Sequence, residues 1–134
     1  MPVKNVTRNT IIAVRSKVAD SALGRAVGLM FSKPTQSAMV LRFGRETPIS
    51  LHTYFVFFPI DILFLSSKLR VVEMVSAMQP FTTYTAKGRA SYVVELPAGT
   101  IRKTKTKVGD EVAFLQVVER KLENGRSITV CRVQ

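Results

Sequence analysis

Asp61 lies inside the most apolar stretch of the chain, the twelve residues from Tyr54 to Leu65. A carboxylate in such surroundings is costly unless it is paired, hydrogen-bonded or protonated. Two readings follow. Asp61 is a polar group in a pocket, a general base or ligand anchor, or it accepts backbone N–H bonds beside Pro59 at the start of a strand. His52, the single histidine, is a second acid–base candidate, and its structural reading is a hydrogen-bonded residue entering a strand. Glu95 alternates with Tyr92, Val94 and Leu96, which places it on the opposite side of its strand, toward solvent or a basic partner, with ion pairing as its expected role. Cys131 would be a nucleophile only as an activated thiolate. With no basic partner assignable, it is expected to be a small packing residue in the last strand.

The run Arg102-Lys103-Thr104-Lys105-Thr106-Lys107 carries four cations in six residues, near a turn or short helix. Such clusters hold phosphates by Coulomb attraction and counterion release. No aromatic residue interleaves with them, so the stacking platform of many single-strand binders is missing and a solvated surface loop is the alternative. The whole chain has a formal charge of +11 and a pI near 10.4, a field that attracts nucleic acid, other polyanions or anionic membrane surfaces. The charges are scattered, so solubility is the competing explanation. No P-loop, dinucleotide fingerprint, nucleophile elbow or metalloprotease helix is present. One cysteine and one histidine leave only carboxylates as further ligands, so neither a structural metal nor a cofactor is expected.

These residues need a frame to position them. The length of 134 residues suits one domain spanning residues 1–134. The opening run from Met1 to Asn9 lacks the apolar core of a secretory signal, and a lone cysteine cannot form an internal disulfide; both predict a cytoplasmic location. The Tyr54–Leu65 stretch is too short to span a bilayer as a helix and is interrupted by Pro59 and Asp61, so no transmembrane segment is expected. Short strands are predicted at Val3–Val6 and Thr10–Arg15. A helix is predicted over Ser21–Met30, capped by Asp20, with Leu23, Ala26, Val27 and Met30 forming an apolar stripe and Gly24 and Gly28 permitting close approach to a strand. Met39, Leu41 and Phe43 line one face of a strand. His52–Phe58 and Ile60–Leu65 lack alternation, as strands covered on both faces do. Leu69–Val75 and Tyr92–Leu96 continue the sheet. Asn124-Gly125 predicts a two-residue type I′ hairpin pairing Glu123 with Arg126.

Gly28-Leu29-Met30, Pro59-Ile60-Asp61-Ile62, Glu95-Leu96-Pro97-Ala98-Gly99 and Gly109-Asp110 occur in an order and spacing that resemble the domain of unknown function family 192, over roughly Ile11 to Val112. The resemblance implies a mainly β domain, a compact β-sandwich or jelly-roll-like fold with one short helix. It implies that any shared site draws on Arg25, Gly28, Asp61, Glu95, Gly99 and Asp110, with Arg25, Asp61, Glu95 and Asp110 as ligand-binding candidates. No reaction comes with it. His52-Thr53-Tyr54-Phe55-Val56 stands where the commonest family pattern has Trp-Met-Lys-Asn-Thr, and the cysteines of many relatives are absent around Met78-Gln79-Pro80, features similar to an archaeal branch. A hairpin over residues 114–133 extends beyond the family core.

The leading expectation is a non-enzymatic, cytoplasmic binding or interaction domain that favours anionic partners. An enzyme or small-molecule binder using a pocket around Asp61 and His52 is the alternative. A weak, sequence-independent nucleic-acid binder using Arg102, Lys103, Lys105 and Lys107 is a third.

Overall fold

The computed structural model describes residues 1–133, with side chains through residue 130. The described residues form, in chain order, β1 (Val3–Asn5), β2 (Thr10–Ala13), β3 (Ser16–Ala19), α1 (Ala22–Val27), β4 (Ala38–His52), β5 (Ile60–Leu65), β6 (Val71–Met78), β7 (Thr83–Pro97), α2 (Thr100–Thr104), β8 (Val112–Lys121) and β9 (Ser127–Val133). Two sheets result: a four-stranded one ordered β2-β1-β8-β9 and a five-stranded one ordered β3-β4-β7-β5-β6. The chain is mainly β, as its patterning predicts. The β3–β4 pair is parallel, while β4, β5, β6 and β7 pair antiparallel.

Every residue of β5 is buried, which explains why its sequence is apolar at every position but Asp61. Leu63 and Leu65 meet Val40, Val94 and Leu96, and against them pack Val3, Ile12 and Phe114 of the four-stranded sheet. Ile60, Ile62 and Phe64 point the other way and join Leu41, Val93 and Val56 in a second cluster. Each such side chain contributes about 1.5–3 kcal/mol by leaving water. The five-stranded sheet therefore has no wet face at its centre.

Four local expectations change. His52–Phe58 is not a strand: β4 ends at His52, and the chain turns through Thr53, whose hydroxyl donates to the Gln79 carbonyl at 2.6 Å and accepts the Thr82 N–H at 2.9 Å. Phe55, at φ 58°, cannot continue a ladder, and of these apolar residues Val56 enters the core. Helix α1 is shorter than its periodicity implies, and its stripe is not buried; Leu23 is 76% exposed. Its cap is Ser21, which accepts the Gly24 N–H at 2.9 Å, because the Asp20 carboxylate is drawn to Arg42 at 2.9 Å. A second short helix, α2, follows Gly99, which adopts φ 92°. In the C-terminal hairpin Lys121 pairs with Ser127, and Leu122 donates to the Arg126 carbonyl at 2.7 Å. The loop is thus one residue longer than expected, because Gly125 at φ 80° closes a three-residue turn that uses the same Asn-Gly pair. The Cys131 side chain lies outside the described residues.

Asp61 is only 1% exposed. One carboxylate oxygen accepts the Ala77 N–H at 2.9 Å and the other the Ile101 N–H at 2.9 Å. Between the Ile60–Met78 and Ile62–Val75 pairs the β5–β6 register shifts by one residue, so Ser76 and Ala77 oppose Asp61 in a β-bulge that turns an amide toward it. One side chain thereby ties β6 and α2 to the central strand. Asp61→Asn sets an NH2 group against one of those two donors, and the expected cost is about 1–3 kcal/mol. Chemical denaturation measures it; an unshifted midpoint would contradict the tie.

Candidate functional site

Glu95 lies on β7 opposite Met39 of β4 and Ile62 of β5. Alternation does turn it away from Val94 and Leu96, but the face it turns to is the second core cluster rather than solvent, which corrects the expected ion pair. Glu95 is 6% exposed. Among the described residues its carboxylate has neither a hydrogen bond nor an ion pair, and burial raises its pKa from 4.5 to about 7.

That carboxylate opens on a cavity of about 280 Å³ between α1, β4 and the turn after His52. Leu41, Leu51, Val56 and Ile60 supply its apolar wall, and Arg25 and His52 share the lining. Gly28 ends α1 at φ 47° and ψ −119°, donating to the Gly24 carbonyl. A Cβ there would stand 3.6 Å from a Glu95 oxygen, an ordinary contact; it is the positive φ that favours glycine at this turn beside the carboxylate.

Arg25 is held at the rim. One guanidinium nitrogen donates to the Asp20 carbonyl at 2.6 Å and to the Arg42 carbonyl at 3.1 Å, and the group lies over the Phe43 ring, 4.7 Å from its centroid. The Asp20 carboxyl nearby is kept below its ordinary range chiefly by its hydrogen bond and attraction to Arg42. His52 uses both nitrogens: Nδ1 accepts the Tyr54 N–H at 3.2 Å, which assigns the proton to Nε2, 3.0 Å from the Ala26 carbonyl. Its ring stacks on Tyr54.

The fold thus gathers Arg25, His52 and Glu95 and leaves Asp61 and Asp110 elsewhere. Asp110 is buried, which works against its charge, but donors from Asn5 at 3.0 Å, Arg8 at 3.1 Å and the Lys107 backbone at 2.9 Å outweigh burial and lower its pKa. Asn5 also donates to Thr106 at 3.1 Å, which meets Thr104 at 2.7 Å. Arg102, Lys103, Lys105 and Lys107 are exposed while the threonines between them are buried. Lys103 and Arg15 border a wider groove of about 420 Å³. A third hollow, of about 580 Å³, contains Glu73 and Tyr84, which hydrogen-bond each other. The smaller cavity is distinguished by a buried acid without a partner. Its walls Leu41, Leu51 and Val56 carry no local sequence signal; only the folded register assembles them.

Residues 3–114 match the DUF192 family, described as uncharacterized ACR. The chain is 38% identical to a UPF0127 protein of Pyrococcus horikoshii, over 82% of this chain and 96% of that one. It is 34% identical to a UPF0127 protein of Pyrococcus furiosus, over 85% and 98%. A crystal structure of a protein of unknown function from Novosphingobium aromaticivorans superposes with a TM-score of 0.76 at 24% identity, covering 85% of this chain and 84% of that one. A candidate transcription regulator from Sinorhizobium meliloti gives 0.75 at 21%, covering 83% and 88%. These two likenesses concern the fold. The chain belongs to the DUF192 family, whose members are uncharacterised.

The buried acid makes stability depend on pH with a definite sign. Its folded pKa, about 7, exceeds the ordinary 4.5, so below 4.5 both states are protonated and Glu95 contributes no difference. As pH rises from 4.5 through 7 the unfolded chain releases its proton first, and the folded state loses relative stability, reaching about 3 kcal/mol above pH 7. Glu95→Gln is expected to match the parent below pH 4.5 and to exceed its stability above pH 7. Parallel denaturation curves for the two proteins over pH 4–8 check this; parallel pH dependence would exclude the assignment.

Proposed function

We propose that this protein binds a small organic molecule at the cavity framed by Glu95, Arg25 and His52. The observation that carries the reading is a nearly buried carboxylate, without a partner among the described residues, opening on a largely apolar hollow. A buried polar group without a partner costs free energy, and a ligand donor that completes it returns that energy as affinity. The complementary molecule has a short apolar body to lie on Leu41, Leu51, Val56 and Ile60 and an N–H or O–H donor, foremost an ammonium group, to meet Glu95. Arg25 at the rim suits an acceptor at its other end. The role is binding rather than chemistry: His52 has both nitrogens engaged and Arg25 is fixed on carbonyls. Short alkyl and phenylalkyl primary amines are the probes, with alcohols and carboxylates of the same skeleton as controls. Amines are expected to raise the melting temperature above pH 7, more than below it as Glu95 ionises, and Glu95→Gln is expected to abolish that rise. Equal shifts in the parent and Glu95→Gln would overturn the reading.

A second reading, contact with anionic partners, is favoured by the exposed cations of the Arg102–Lys107 run on a loop fixed by buried Thr104 and Thr106. Phosphate contacts of this kind ignore base sequence and weaken with salt. Titration of labelled single- and double-stranded oligonucleotides at low salt is expected to give weak binding that fades as salt rises. Replacing Lys103, Lys105 and Lys107 with Gln is expected to reduce both affinity and salt slope. An unchanged slope would move the contact to another face, and no binding at low salt would remove this reading.

A further inference from the structure

Four phenylalanines from three separate segments meet at the surface. Phe31 and Phe55 stack with centroids 4.9 Å apart, and Phe81 makes T-shaped contacts with Phe55 at 5.7 Å and with Phe57 at 5.4 Å. All four are exposed, Phe31 by 69% and Phe57 by 62%. Three have left-handed backbones: Phe31 at φ 57°, Phe55 at 58° and Phe81 at 57°, a conformation unfavourable for bulky side chains. Backbone bonds hold them there, with the Phe31 N–H on the Phe55 carbonyl at 2.8 Å and the Phe81 N–H on the Thr53 carbonyl at 2.9 Å. α1, which leads into Phe31, buries none of its residues and leaves Leu23 and Val27 exposed. A folded chain that holds bulky rings in strained loops and in water calls for something that covers them.

We infer that this phenylalanine cluster docks the protein on an anionic lipid surface. Three observations select that occupant. The segments 21–34, 51–60 and 76–86 contain Arg25 and Lys33 but no Asp or Glu, and the chain carries +11 overall, so a negatively charged surface attracts the patch while a second copy of the chain is repelled. Stacking of Phe31 on Phe55 covers one face of each of these rings, which reduces the flat aromatic surface open to nucleic-acid bases. Exposed aliphatic Leu23 and Val27 suit acyl chains, with the phenyl rings at the headgroup boundary. Among the described residues no helix is long and apolar enough to cross a membrane, and the contact inferred is a peripheral one.

The full-length protein is tested by co-sedimentation with phosphatidylcholine vesicles and with vesicles that also contain phosphatidylglycerol. Binding is expected to the anionic vesicles and to be much weaker on neutral ones. A double variant, Phe31→Asn with Phe57→Ser, is expected to lower the partition coefficient about a hundredfold, roughly tenfold for each ring withdrawn from lipid. Its melting temperature is expected to hold, because both rings are exposed and Asn accepts the left-handed backbone. Failure of the parent to sediment with anionic vesicles overturns the inference, as does undiminished binding of the double variant. Light scattering and oligonucleotide titration of both proteins test the rivals: self-association or base binding lost in the double variant would assign the cluster to a second copy or to nucleic acid instead.

Discussion

The five-stranded sheet is packed on both faces, and the rest of the structure is arranged around that constraint. Strand β5 has no exposed residue, so one face must be closed by the four-stranded sheet and the other by whatever chain remains. The second closure involves α1, the segment after it and the turn between β4 and β5, a less regular cover than a second sheet. Irregular cover leaves gaps, and one gap over this face is the cavity at Glu95. Site and packing defect are therefore the same feature seen from two sides.

Three carboxylates are buried, and they differ in what meets them. Asp61 receives two backbone amides, and Asp110 receives Asn5, Arg8 and a backbone amide. Each is thus held by neighbours that join distant parts of the chain. Glu95 receives nothing comparable, and its raised pKa is the electrostatic statement of that difference. The fold thus satisfies two buried acids with two or three donors each and leaves a third without one beside a cavity.

Strand positions are legible where alternation or a nearly continuous apolar run reflects burial, as at Tyr92–Leu96 and Ile60–Leu65. His52–Phe58 has the composition of a core strand without being one, because its exposed phenylalanines imitate burial. The stripe of α1 likewise stays exposed, since periodicity reveals a face but not whether anything covers it. For the site, Arg25, His52 and Glu95 could be named from sequence, yet Glu95 was assigned to solvent or an ion pair. Alternation specifies which side of a strand a residue takes; whether that side is wet depends on segments distant in sequence, the chain at Gly28 and the turn after His52 among them. The family pattern carried Gly28 and Glu95 together, a proximity that spacing alone does not disclose.

The first strand has a further meaning for how the protein is made. β1 lies between β2 and β8, with Val3 opposite Phe114, and Asn5 is bonded to Asp110, 105 positions later. Contacts of such sequence separation slow folding, because a long loop must close before they form. On a ribosome, residues 3–5 wait with one ladder edge unpaired until nearly the whole family region has emerged, so the four-stranded sheet cannot assemble in step with synthesis. β1 is thus made long before β8, and in the interval its open edge is accessible to other chains.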